Sequence, residues 1–197
     1  MPRKSDARQK MIQAAAELFR ARGYHGVGLA EILKESGAPK GSFYHHFPNG
    51  KEELALAVIE SGGKFVSKLI DKAFEDARSV DEAVSKLVHM IASAFEASGF
   101  ELGCPVTSLI LDLAPSDENA RVQVDVVFKH WMNRMMEHAS RLGVHDSMLP
   151  LYKTAFRALL VAIEGGWVIS RSTHTVAPIL LADDIFRQMV RAEPTTH

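Results

Sequence analysis

Cysteine is almost missing from this chain of 197 residues, which has only Cys104. One thiol excludes an intrachain disulfide and leaves no CxxC pair for zinc, so a reducing cytoplasm is the expected compartment. No apolar run approaches the roughly eighteen residues of a membrane span, and Met1-Pro2-Arg3-Lys4-Ser5-Asp6 leads into no apolar signal core. Neither a membrane partner nor export is expected. A glycine-rich phosphate loop, a nucleophile elbow and a carboxylate–histidine pair at recognisable spacing are missing too. That leaves little for an enzyme working through Cys104 or a histidine. His89, His130, His138 and His145 show no ligand spacing, and the nine histidines read as mostly surface residues, so no metal or cofactor is expected. Strand-like alternation of useful length and internal repeats do not occur.

What is present is a folded composition, 47% apolar and 24% charged. The net charge of −1 argues against a polyanionic partner until it is divided along the chain. Residues 1–50 carry eight Lys/Arg against four Asp/Glu, and residues 51–197 carry fifteen against twenty, giving balances of +4 and −5. The basic share lies at the amino end.

That end also holds the most informative stretch. Leu29-Ala30-Glu31-Ile32-Leu33 has apolar residues three and four apart and fits about two turns of helix, with Gly28 as N-cap and Gly37 ending it. Pro39 has the fixed φ suited to the first position of a new helix. In that second helix Phe43 and Phe47 share one face, while Lys40 and Tyr44 share another, with Gly41 and Ser42 beside Lys40 and His45 after Tyr44. Two short helices across a glycine turn, the second apolar inside and cationic, aromatic and small outside, form a helix-turn-helix whose expected partner is duplex DNA. A helix over Met11, Ile12, Ala15, Leu18 and Phe19, capped by Ser5 or Asp6 and stopped at Gly23, closes a three-helix core. Arg3, Lys4, Arg8 and Lys10 at its start could reach phosphate or be a solvated tail.

Gly23-Tyr24, Ile32, Gly37, Lys40-Gly41-Ser42, Phe43-Tyr44-His45-His46-Phe47 and Lys51-Glu52-Glu53-Leu54 together resemble the amino-terminal signature of the TetR/AcrR family of bacterial transcriptional regulators. Gly28-Leu29, Ser36 to Ser42, Phe47 to Lys51, Gly103-Cys104-Pro105-Val106 and Glu164-Gly165 resemble its LmrA/YxaF-type subgroup. Val27-Gly28 departs from the broad pattern, in which a threonine or serine usually opens the first helix of the motif. The resemblance implies a repressor relieved by small aromatic compounds. It also implies that the helix after Lys51 links the DNA-reading unit to the rest. Lys40 is then expected at a base edge or phosphate, Gly41 at the close approach with Ser42 beside it, and Tyr44, His45 and Lys51 at phosphates.

The remainder reads as helices. Lys51 opens one to about Ala77, with Gly62-Gly63 inside it as either a close contact or a flex point. Ser79-Val80-Asp81-Glu82 is a capping box for the next, with Ala83, Leu87, Met90, Ile91, Ala94 and Phe95 inward. A short apolar helix follows Cys104-Pro105, and Ser116 or Asp117 caps a long one through Val124, Phe128, Trp131, Met135, Ala139 and Leu142. The last two run from about Ser147 to Arg171 and from Ala177 to Arg191. Ala155, Ala158, Leu159, Ala162, Ile163, Gly165 and Gly166 make the first of these apolar on more than one side. A second copy of the pair across a two-fold axis is the simplest cover, giving a homodimer.

The fold class is all-α, about nine helices. A helix-turn-helix DNA-binding domain occupies residues 1–50, and an effector-binding and dimerisation domain occupies 51–197. Phe95, Cys104, Phe128, Trp131, Met132, Met135 and Trp167 are the candidate walls for a small hydrophobic or aromatic effector. Such a stripe is more often plain core, and it is the subgroup resemblance that favours the pocket. Cys104 alone reads as a packed thiol more readily than as a redox switch. A protein-interaction module with this fold and no operator is the competing function. The basic amino-terminal balance and the intact Lys40-Gly41-Ser42 weigh against it.

Overall fold

A computed structural model describes residues 4–115 and 117–191, with side chains from Asp6 onward. Arg3, the side chains of Lys4 and Ser5, and Ser116 lie outside the described residues, and so do the roles expected of them. Nine α-helices are described: α1 (Lys4–Arg22), α2 (Leu29–Ser36), α3 (Lys40–His46), α4 (Lys51–Phe74), α5 (Val80–Ala97), α6 (Thr107–Leu113), α7 (Glu118–Arg141), α8 (Leu149–Thr173) and α9 (Ala177–Arg191). A 3₁₀ turn, Asp146–Met148, precedes α8. The described residues contain no strand.

The chain divides into two compact units. The first holds residues 1–65 and 102–127, and the second holds residues 66–101 and 128–197.

In the first unit α1 packs against α2, α3 and α6. Met11, Ala15, Phe19, Ile32, Phe43 and Phe47 are fully buried, and Phe43 and Phe47 lie 5.4 Å apart between ring centres. Gly62 and Gly63 are explained by packing. A Cβ on Gly62 would stand 3.0 Å from Pro105 Cβ, and one on Gly63 would stand 2.9 Å from Val127 Cγ2. The roughly 1 kcal/mol each glycine costs a helix is the condition for these contacts.

In the second unit α9 packs against α8 and α5. Gly166 permits the α8–α9 crossing: a Cβ there would meet Ile179 Cα and Pro178 O, both at 2.9 Å. Phe156 of α8 and Phe186 of α9 stack at 5.2 Å. The capping box forms, with Ser79 Oγ accepting from Glu82 N at 3.2 Å, but Glu82 reaches back to the N–H of Arg78 at 2.9 Å, one residue further than expected. Two expectations for this unit need correction. On α5, Ala83, Leu87, Ile91 and Phe95 are buried as expected and Val84, Val88 and Ala92 join them, whereas Ala94 is exposed and Met90 only half-buried. His138 is a core residue: it is buried, stacked on Phe74 at 4.9 Å, and bonded through Nε2 to Asp71 Oδ1 at 2.8 Å.

Arg134 holds the same Asp71 carboxylate in a bidentate grip of 2.6 and 2.9 Å. Chiefly through those bonds, the Asp71 pKa lies below the ordinary carboxylate value. A depressed carboxylate stabilises the fold above its unfolded pKa and loses that effect as pH falls through the folded one. The melting-temperature gap between wild type and Asp71→Asn is therefore expected to narrow as pH falls below about 4. Scanning calorimetry across that range measures it.

Candidate nucleic-acid interface and effector walls

The recognition unit follows from local backbone chemistry. Gly28 caps α2 with extended backbone and no side-chain bond. Gly37 ends α2 in the left-handed region at φ 65°, where its lack of a Cβ matters, and the N–H groups of Gly37 and Ala38 close on Lys34 and Leu33 carbonyls. Pro39, at φ −65°, is the N-cap of α3 and lies one residue before its first turn. Its carbonyl accepts from Ser42 and Phe43 at 2.9 and 3.2 Å.

With Phe43 and Phe47 anchored inward, the opposite side of α3 is open. Lys40, Gly41, Tyr44 and His45 are exposed and Ser42 is half-buried; Tyr44 keeps 47% of its surface and rests edge-on against Phe43. A Cβ built on Gly41 would meet nothing within 4 Å, so nothing in the fold itself requires glycine there. The turn Pro48-Asn49-Gly50 then delivers Lys51 to the first turn of α4. Its ammonium is half-buried, donates to the Tyr24 carbonyl at 2.6 Å, and sits 3.9 Å above the Tyr24 ring. Burial pushes the Lys51 pKa below its ordinary value, with Asp112 opposing the shift. Lys51 thus has an intramolecular partner that its helix position did not reveal.

Sequence reasoning missed two residues that secure this unit. Asp112 of α6 accepts from the backbone N–H groups of Tyr24 and His25 at 2.6 and 3.2 Å, and its Oδ2 would stand 2.8 Å from a Cβ on Gly23. Arg20, on α1, donates to the carbonyls of Gly103 and Leu102 at 2.8 and 2.9 Å, and burial lowers its pKa. The α1–α2 loop and the end of α1 are therefore tied to α6 and the segment before it. No spacing rule signals partners more than eighty residues away.

Six of the seven effector candidates lie in the second unit, and Cys104 lies in the first. Phe95, Trp131 and Met135 are buried, while Phe128, Met132 and Trp167 are half-buried. The structure brings Phe128 and Trp131 together at 5.3 Å. The Trp167 Nε1 is buried with no hydrogen-bond partner among the described residues. Cys104 is buried too, and its sulfur accepts from the N–H of Thr107 at 3.5 Å, at the start of α6.

Residues 11–58 match the model of bacterial regulatory proteins of the tetR family, and residues 81–185 match that of the LmrA/YxaF-like transcriptional regulator C-terminal domain. The chain belongs to the TetR family, in its LmrA/YxaF-like branch. It is 35% identical over 191 residues to the HTH-type transcriptional regulator YxaF of Bacillus subtilis, covering 97% of this chain and 98% of that one. It is 31% identical over 175 residues to LmrA of the same organism, covering 89% and 92%. Among solved structures, the regulatory protein TetR from Rhodobacter sphaeroides aligns with a TM-score of 0.76 at 27% identity over 94% of this chain and 97% of its own. These relatives are transcriptional regulators, and so is this TetR-family protein, rather than an enzyme. Among the described residues no helix is long and apolar enough to cross a membrane.

Proposed function

We propose that this regulator is a cytoplasmic, homodimeric repressor that reads an inverted-repeat operator and is released by a small hydrophobic or aromatic effector. Residues 1–50 form its DNA-reading domain, and residues 51–197 bind effector and dimerise. The observation that carries the reading is the two-sided α3, with Phe43 and Phe47 fully buried and Lys40, Gly41, Tyr44 and His45 left open. Lys40 contacts a base edge or a phosphate, Gly41 and Ser42 let the backbone approach the groove, and Tyr44, His45 and Lys51 take phosphates. The dimer forms through α8 and α9. The effector acts by binding the DNA-free arrangement better than the DNA-bound one. Phe95, Cys104, Phe128, Trp131, Met132, Met135 and Trp167 are its proposed contacts, and an acceptor atom on the effector would satisfy the Trp167 N–H.

Gly41→Ala separates fold from function. Replacing a glycine within a helix stabilises it by up to about 1 kcal/mol, and here the added methyl meets nothing. Thermal stability is expected to hold or rise while operator affinity falls roughly tenfold, about 1.4 kcal/mol. Calorimetry and fluorescence anisotropy measure the two, and unchanged affinity would remove α3 from the groove.

Lys51→Ala is expected to weaken binding equally on all sequences and to reduce the salt slope by about one ion. Salt titrations on operator and random duplexes measure it, and a change confined to sequence preference would contradict the phosphate role.

A further inference from the structure

Lys68, Asp71, Lys72 and Glu75 of α4 and Arg134, His138 and Arg141 of α7 line a cleft of about 450 Å³. All seven residues belong to the second unit. The volume falls in the range of small-molecule sites, roughly 300–1,000 Å³. Every lining residue carries a charged or polar group, unlike the aromatic and methionine walls proposed for the effector.

Four permanent cations face two carboxylates here, and one of those carboxylates is already occupied. Asp71 takes Arg134 at 2.6 and 2.9 Å and His138 at 2.8 Å. Arg134 also reaches Glu137 at 3.6 Å. The side chains of Lys68 and Lys72 have no hydrogen bond or ion pair among the described residues. Standing four apart on one helix, they repel each other. Among the described residues Arg141 makes one side-chain hydrogen bond, to the Phe74 carbonyl at 3.5 Å, which leaves most of its donors available. The Asp71 network meanwhile holds Arg134 and the buried, Phe74-stacked His138 in place. The cleft thus sets Lys68, Lys72 and Arg141, which have no carboxylate partner among the described residues, beside an arginine held in place by Asp71. It is suited to clustered negative oxygen, because arginine forks and lysine ammonium groups both recognise phosphate and carboxylate.

We propose that this cleft binds a small, multiply charged oxyanion, a phosphate ester or a polycarboxylate, as a ligand distinct from the apolar effector. Isothermal titration of the full chain with inorganic phosphate, pyrophosphate and citrate, at one ionic strength maintained with sodium chloride, tests it. Saturable binding of at least one anion is expected below roughly 10 mM, and about tenfold weaker binding in Lys68→Gln/Lys72→Gln and in Arg141→Gln. These three side chains are exposed, so melting temperatures should stay at the wild-type value. Preference for pyrophosphate assigns the site to phosphate esters, and preference for citrate assigns it to polycarboxylates. Lys40→Gln should bind the anion as wild type does. Absence of saturable binding, binding unchanged in both cleft variants, or binding lost in Lys40→Gln would overturn the proposal.

Discussion

Phe43→Ala is expected to abolish operator binding and to cost the DNA-reading helices about 3–5 kcal/mol. Phe43 is fully buried, 5.4 Å from Phe47 and edge-on to Tyr44 at 5.2 Å, in a core that otherwise rests on α1 and on Ile32. Such a small core has few neighbouring side chains that can collapse into the space left by a ring. The loss is comparable to the whole stability of many small domains. Tyr44 and Lys40 are presented to solvent only because Phe43 fixes the rotation of α3, so the contact face is lost with the core. Chemical denaturation followed by circular dichroism, with operator binding measured in parallel, checks both halves. A stable variant with intact binding would mean that α3 does not owe its orientation to this ring.

Val168→Glu is the second large effect, and it acts through assembly. The α8 surface leaves Val161 72% and Val168 68% exposed, with Gly165 open between them, Ile169 beside them, and Leu181 of α9 also uncovered. Residues 161, 165, 168 and 169 fall on one helical stripe. Exposed apolar side chains in such an array mark an interface more often than a solvated face. In a two-fold dimer each substitution is introduced twice, so two carboxylates would be brought into apolar surroundings without partners. The monomer should fold normally, since the side chain is solvated there. The dimer is expected to weaken by about 3–5 kcal/mol, a shift of roughly 10²–10³ in its dissociation constant, and operator affinity is expected to fall with it. Sedimentation velocity at micromolar protein measures the assembly, and a variant that stays dimeric would move the interface elsewhere.

Local signals carried most of what could be read from sequence. Gly28, Gly37 and the Phe43/Phe47 spacing act within a turn or two of chain, and each has the consequence its chemistry dictates. Pro39 was displaced by only one residue, since a fixed φ near −65° serves an N-cap as well as a first turn. Asp117 caps α7 by accepting from Ala120 N at 3.0 Å. The remote ties could not be read. Asp112 meets the Tyr24 loop 88 residues away, Arg20 meets Gly103 at a separation of 83, and Asp71 meets Arg134 at 63. An exposed-looking histidine became a core residue by that route, because only the packed helices show that Phe74 and Asp71 flank His138. Gly62-Gly63 was ambiguous for the same reason: Pro105 and Val127, which fill the space beside it, lie far along the chain. Ala94 misled because alanine satisfies an apolar pattern without needing burial.

The repressor proposed for this TetR-family chain should hold one operator and lose it to an apolar effector. Fluorescence anisotropy on duplexes tiling the DNA upstream of its own gene, at two salt concentrations and with and without a panel of flavonoid-like and drug-like aromatics, tests it most directly. Tight, salt-sensitive binding to one inverted repeat and its release by at least one compound are expected. Weak binding, equal on every duplex and unaffected by every compound, would contradict it.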